Sequence, residues 1–154
     1  MGRYTWSRLN HLQVGRFAEY FVKMEFALYG FQVYTAEVDD RGIDFIVRHE
    51  SGRFYEIQVK SIRGLNYVFM QKEKFPLRAD RIAALVILLE DQSPELYLIP
   101  APAWESPNAV LVSRDYEGKQ GPPEWGLNLS AKNRPLLAGF RFDGVVASLM
   151  QTGA

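Results

Sequence analysis

Residues 42–61 read Gly42-Ile43-Asp44-Phe45-Ile46-Val47-Arg48-His49-Glu50-Ser51-Gly52-Arg53-Phe54-Tyr55-Glu56-Ile57-Gln58-Val59-Lys60-Ser61. Two runs rich in β-branched and aromatic residues flank Glu50-Ser51-Gly52, which has the length and the glycine of a hairpin loop. With that loop His49 faces Arg53, and paired residue numbers sum to 102. Asp44 then falls opposite Gln58, and Gly42 opposite Lys60. Side chains alternate along a strand, and cross-strand partners project to the same side. Asp44, Gln58 and Lys60 are therefore expected to gather at one end of one sheet face. Phe45, Val47, Tyr55, Ile57 and Val59 take the other face and form the expected core.

On the N-terminal side, Val14, Phe17, Phe21, Met24 and Leu28 recur at spacings of three and four, one helical stripe, and Gly30 supplies the stop. Residues 32–37 read as a strand, and Asp39-Asp40-Arg41-Gly42 as a turn. On the C-terminal side, residues 67–70 read as a short strand and 83–89 as a buried one. Asp91-Gln92-Ser93-Pro94 turns the chain into a partner strand at 96–99. Five prolines (Pro100, Pro102, Pro107, Pro122 and Pro123) break up the following segment, and an amphipathic helix is expected over about 142–150. The expected class is α/β (α+β), one domain over residues 1–154, with a mixed sheet and helices packed on it.

A chain of 154 residues with 47% hydrophobic and 23% charged residues is not mostly disordered. The absence of cysteine excludes a disulfide framework, a thiolate zinc site and a cysteine nucleophile. The longest apolar run, residues 82–89, is less than half a membrane span. Arg3, Arg8 and Arg16 have no signal-length apolar run between them, so a cytoplasmic protein without a membrane partner is expected. Net charge is zero, but residues 24–59 carry seven acidic against three basic side chains, and 60–81 carry six basic against two acidic. The acidic centre is flanked by basic segments, since residues 1–23 also carry a surplus of three positive charges.

A carboxylate, an amide oxygen and an ammonium at one sheet end have the chemistry to hold a hard divalent cation beside a water. One carboxylate is thin for that work, so a second is expected from the first helix, where Glu19 is the candidate; Glu56, two residues from Gln58 on the same strand face, is the fallback. A plainer reading sets Asp44 and Lys60 as a surface ion pair on a half-exposed face. On the same grounds His11 and His49 are surface histidines, and Phe17, Phe21 and Phe26 are core.

Four segments together carry a resemblance: Gly15-Arg16-Phe17-Ala18-Glu19, Gly30-Phe31-Gln32-Val33-Tyr34, Gly42-Ile43-Asp44-Phe45-Ile46-Val47, and Tyr55-Glu56-Ile57-Gln58-Val59-Lys60-Ser61. In this order the chain resembles the PD-(D/E)XK nuclease superfamily, and within it the small endonuclease branch with a Gln-x-Lys third motif that includes intron-encoded homing endonucleases. The resemblance covers residues 14–61 and extends plausibly to 83–100. It implies a restriction-endonuclease-like fold, a central mixed sheet flanked by helices. It also implies Mg²⁺-dependent hydrolysis of a DNA phosphodiester, with Mn²⁺ able to substitute. Carried over residue by residue, Glu19 matches the first-helix acid, Asp44 the metal-binding aspartate, Gln58 the position that is usually acidic, and Lys60 the catalytic lysine. Glu19, Asp44 and Gln58 would then be the metal ligands. Ile43 stands where the superfamily name has proline, and Gln58 lacks the usual charge.

Two functions of different kind follow. The first is a DNA endonuclease gripping phosphates through Arg63, Lys72, Lys74, Arg78 and Arg81, with Tyr67 and Phe69 interleaved. Two cuts in a duplex need two sites, hence a homodimer or higher homo-oligomer. The second is a nucleic-acid-binding module that kept the fold and lost the chemistry, for which neutral Gln58 is the best argument.

Overall fold

All eight residues of Arg81–Leu88 are buried, because this strand has packed layers on both of its faces. The computed structural model describes residues 2–38, 41–116 and 121–150. In chain order the elements are α1 (His11–Leu28), β1 (Phe31–Thr35), β2 (Phe45–His49), β3 (Phe54–Arg63), β4 (Tyr67–Gln71), β5 (Arg81–Leu88), β6 (Glu95–Pro100), β7 (Leu111–Arg114), β8 (Glu124–Asn128) and α2 (Phe142–Met150), with short 3-10 turns between some of them. A five-stranded sheet runs β1-β2-β3-β5-β6. It is mixed: β3 and β5 are parallel, and the other neighbours are antiparallel. A second sheet, β4-β8-β7, has three antiparallel strands.

The central sheet separates two cores. Ile82, Ala84, Val86 and Leu88 of β5 face α1 and α2, whereas Ala83, Leu85 and Ile87 face the small sheet. A strand covered on both faces reads as a continuous apolar run, which is why it is legible in sequence. In the first core Phe26 meets Phe31, Phe45 and Phe142 edge-on, with ring centroids 5.1, 6.2 and 5.3 Å away. In the second, Trp104 packs edge-on against Phe75, and its indole N–H donates to Gly126 O at 3.0 Å.

The β2–β3 register follows the loop arithmetic: Phe45 pairs with Ile57, Ile46 with Glu56, Val47 with Tyr55 and Arg48 with Phe54. Phe45, Val47, Tyr55 and Ile57 are buried as expected, and Val59 is half-buried against the same core. Helix α1 starts on a capping box in which Asn10 and Gln13 each accept the other's backbone N–H, at 2.9 and 2.8 Å. It stops at Tyr29–Gly30, where Gly30 takes φ +85°.

Three expectations need correction. The buried face of α1 is Val14, Ala18, Val22 and Phe26, while Met24 and Leu28 are exposed. The spacing of large apolar residues followed a neighbouring ridge, because small Ala18 carries no hydrophobic signal of its own. The strand expected at 32–37 is β1 at Phe31–Thr35, and of the turn that follows Asp39 and Asp40 lie outside the described residues. The proline-broken segment holds β7 and β8, which join β4 in a sheet of its own. The second face of the central sheet is thus covered by strands and 3-10 turns, with both α-helices on the first.

Phe26→Ala should cost about 3–5 kcal/mol in denaturant unfolding, and Met24→Ala should stay within about 0.5 kcal/mol. A similar loss for both would return Met24 to the core.

Candidate functional site

Strand β2 ends its pairing at Phe45, but β3 runs on to Arg63. From Gln58 onward the β2-side edge of β3 therefore lacks a ladder partner. Asp44 fills the gap. Its N–H donates to Ile57 O at 2.9 Å, one residue short of the hairpin register. Its carboxylate Oδ2 accepts the Val59 N–H at 2.7 Å. A buried-edge N–H without a partner would cost about 1–3 kcal/mol, and a charged acceptor makes the bond a strong one. The same bond pins the carboxylate at the parting of the two strands. Gly42, two residues earlier, has φ +73°, and a Cβ there would come within 2.9 Å of Lys74 O and 3.3 Å of Gln58 Oε1. Only glycine satisfies both demands.

Two clefts meet at this parting. The first, about 600 Å³, is walled by Glu19 and Arg16 from α1, by Asp44, and by Val59 and Ser61 from β3. The N-terminal turn of α1, from Asn10 to Gln13, forms its rim. The positive end of an 18-residue helix thus opens on it. The second cleft, about 560 Å³, lies on the small-sheet side and is walled by Gln58 and Lys60 from β3, Lys74, and Tyr67, Phe69 and Gln71 from β4. His11 and Ser61 line both.

The structure thus brings Glu19 and Asp44 into one cleft, and Gln58 and Lys60 into the adjoining one. The split follows from strand alternation, which turns Gln58 and Lys60 toward the small sheet and Val59 toward α1. Asp44 departs from the regular register and stands at the edge between the faces. Glu19 pairs with Lys23 at 3.1 Å across one helical turn, both side chains about one-fifth exposed. Glu56, the fallback acid, is held by Arg78 and Arg81 and lines neither cleft.

Gln58 Oε1 is buried and accepts no hydrogen bond. An orphaned buried acceptor costs free energy, and a cation is one partner that would satisfy it. Among the described residues no three His, Cys, Asp or Glu side chains gather as a metal cluster. By donor chemistry, the Asp44 and Glu19 carboxylates of the first cleft and the Gln58 amide oxygen of the second are of the kind a hard cation takes.

The five basic residues part company. Arg81 is 3% exposed and donates to Lys74 O at 2.6 Å and Gly42 O at 3.2 Å. It sits opposite Glu56 in the β3–β5 register, and its guanidinium braces the loop under the site instead of facing outward. Arg63 donates to Leu9 O at 2.6 Å and Trp6 O at 3.2 Å, strapping the N-terminal segment. Lys72 pairs with Asp115 at 2.6 Å and lies 4.1 Å from the Trp125 ring centroid. Arg78, half exposed, pairs with Glu56 and Asp80. Lys74 is exposed and lines the second cleft. His11 and Arg16 were missed as wall residues; the basic bias of the first 23 residues includes Arg16, and His11 carries no signal of its own in the sequence.

No protein family's sequence pattern matches the chain, and no curated protein matches it. Solved structures do. The chain is similar to Hjc, a Holliday junction resolvase from the archaeal hyperthermophile Archaeoglobus fulgidus, with TM-score 0.55, 13% identity, and 88% of this chain and 96% of that one covered. It is also similar to the bacterial homing endonuclease I-Ssp6803I, with TM-score 0.54, 15% identity and 94% of each chain covered. At such identities the likeness is one of fold. The chain has a restriction-endonuclease-like fold, the architecture of both nucleases. No described helix is long and apolar enough to cross a membrane.

Two measurements check the site. In chelator, Gln58→Leu should be at least as stable as wild type, because it removes a buried orphan acceptor. With excess Mg²⁺, the wild-type melting temperature should rise, by about 2.7 kcal/mol of linkage at a hundredfold excess over Kd, and the variant should gain less. Equal gains would remove Gln58 from the ligand set. Second, Lys74→Ala should lower the salt slope of DNA binding by about one unit. Arg81→Ala should instead cost about 2 kcal/mol or more of stability, because it leaves the loop carbonyls without their donor and takes away one of the two partners of Glu56.

Proposed function

We propose that the chain is a Mg²⁺-dependent endodeoxyribonuclease working at the parting of β2 and β3. One observation carries this reading. Asp44, anchored by the Val59 N–H where the strands separate, shares a cleft with Glu19, and the adjoining cleft holds the unpartnered Gln58 Oε1 with Lys60 on the same strand. The fold shared with two nucleases supports it.

Asp44, Gln58 and Glu19 would hold the cation. When bound, Mg²⁺ supplies polarisation of the scissile phosphate and a lowered pKa for an attacking water. Lys60 orients that water and counters the charge that builds on the phosphoryl oxygens in the transition state. Arg16 and Lys74 line the two clefts and attract the backbone phosphates on either side, and His11 lines both clefts. Neutral Gln58 leaves the site with two carboxylates, so ground-state metal affinity is modest. Lys23 would give up its ion pair with Glu19 if that carboxylate turned to a bound cation.

Cutting both strands of a duplex calls for a second copy. Tyr20, Met24 and Leu28 recur every four residues on α1 and are all more than half exposed. This ridge is suited to packing against its own copy across a two-fold axis. Met24→Glu would then shift a dimer to monomer in sedimentation.

The test is plasmid cleavage with Mg²⁺ and with Mg²⁺ plus chelator, for wild type and Lys60→Ala. Wild type should cleave only with the metal. Lys60→Ala should lose about 10²–10³ in rate while binding DNA nearly as before, since the loss falls on the transition state. Wild-type rates in folded Lys60→Ala would overturn the mechanism. No cleavage with any divalent metal, with DNA binding intact, would favour the binding module.

A further inference from the structure

The small sheet presents an open face beside the candidate catalytic cleft. Strand alternation and the β4–β8–β7 register place Tyr67, Phe69, Gln71, Glu124, Gly126 and Arg114 on it. The opposite face, with Met70, Leu111 and Leu127, is buried in the second core. Gly126 sits directly across from Phe69, and a Cβ there would overlap the Tyr67 phenol. Glycine therefore lets the phenol lie flat across β8. There its hydroxyl bonds the buried Glu124 carboxylate, and the Arg114 guanidinium carbon stands 4.0 Å from the ring centroid. Burial and that carboxylate raise the phenol pKa well above its ordinary value, so Tyr67 stays a neutral donor.

Phe69 stacks beside Tyr67, with ring centroids 6.0 Å apart and planes 19° from parallel, yet it is 44% exposed. Its neighbour is locked by hydrogen bond and cation contact, so the open ring is held in place at little entropic cost. Both rings line the cleft of Gln58, Lys60 and Lys74. A flat aromatic surface, rimmed by exposed Arg114 and Lys74, lies next to the residues assigned to phosphate chemistry.

We propose that Phe69, backed by Tyr67 and Arg114, is a stacking platform for an unpaired nucleobase adjoining the cleaved phosphate. The preferred substrate is then DNA with an unpaired nucleotide at the cut, such as a fork, flap or single strand. A continuous duplex hides the faces of its bases in the stack and cannot use the platform. The aromatic face suits a base, and the surrounding cations suit the phosphates that join it to its neighbours. This substrate class rests on the nuclease reading, although the platform itself is a matter of binding.

The test is binding in chelator, where no metal-dependent cleavage intrudes. Fluorescence anisotropy is read for wild type, Phe69→Ala and Phe69→Trp on a forked duplex, a single strand and a fully paired duplex of one sequence. A 2-aminopurine is placed at the first unpaired position of the fork. Phe69→Ala should weaken fork and single-strand binding about ten- to hundredfold, leave duplex binding nearly unchanged and abolish 2-aminopurine quenching. Phe69→Trp should retain both. Equal losses on all three substrates, or no loss on any, would overturn the platform. Circular dichroism confirms that each variant is folded. Mg²⁺ cleavage is scored separately with Lys60→Ala. Phe69-dependent fork binding without cleavage leaves the platform standing and removes the nuclease reading; cleavage without Phe69 dependence does the reverse.

Discussion

The bond from Val59 N–H to the Asp44 carboxylate is the constraint on which the candidate site depends. Strand β3 lies parallel to β5 from Glu56 to Arg63 to close the central sheet, while β2 pairs with only its first part. The unpaired edge that results would be a liability on its own, because exposed strand edges invite other chains and orphaned N–H groups cost stability. Asp44 satisfies the first N–H of that edge with one side chain. It also brings a charge to the place where the sheet opens, between a face covered by α1 and a face covered by the small sheet.

Much of the architecture near that point serves to hold it open. Gly42 lets the loop pass against Gln58 and Lys74 O, and Arg81 ties the same loop from beneath. The capping box of Asn10 and Gln13 fixes the first turn of α1 at the rim. Gln58 Oε1 is a buried acceptor left without a donor, and native proteins keep such atoms where function compensates for the lost stability. The sheet supplies rigidity and its parting supplies access, so the site sits on well-packed elements and not on a long loop.

The hairpin was legible because a three-residue loop and period-two alternation fix register by arithmetic, and the observed pairs obey it. The buried strand β5 was legible as an unbroken apolar run. What escaped reading was set by tertiary contact. Ala18 is core by position and not by hydrophobicity. β7 and β8 are short and separated by proline-rich chain, and β8 finds β4 across a gap of more than fifty residues. Arg81 looked like one charge in a basic strip, but its place opposite Glu56 could not be known before the parallel β3–β5 register was. That Gln58 and Lys60 share one face of β3 was legible, but Asp44, expected on that same face, lines the adjoining cleft. Their division between two adjoining clefts was not legible, because the hairpin rule assumes a ladder that Asp44 leaves.

The central claim is that the parting of β2 and β3 is a cation site for phosphodiester chemistry. It is tested most directly by crystals grown with Mn²⁺ and a forked DNA, using the Lys60→Ala protein to hold the substrate uncut. The anomalous signal should show Mn²⁺ shared by Asp44 and Gln58, with a DNA phosphate against it. DNA bound on another face, or Mn²⁺ bound away from Asp44 with this cleft empty, would contradict the claim.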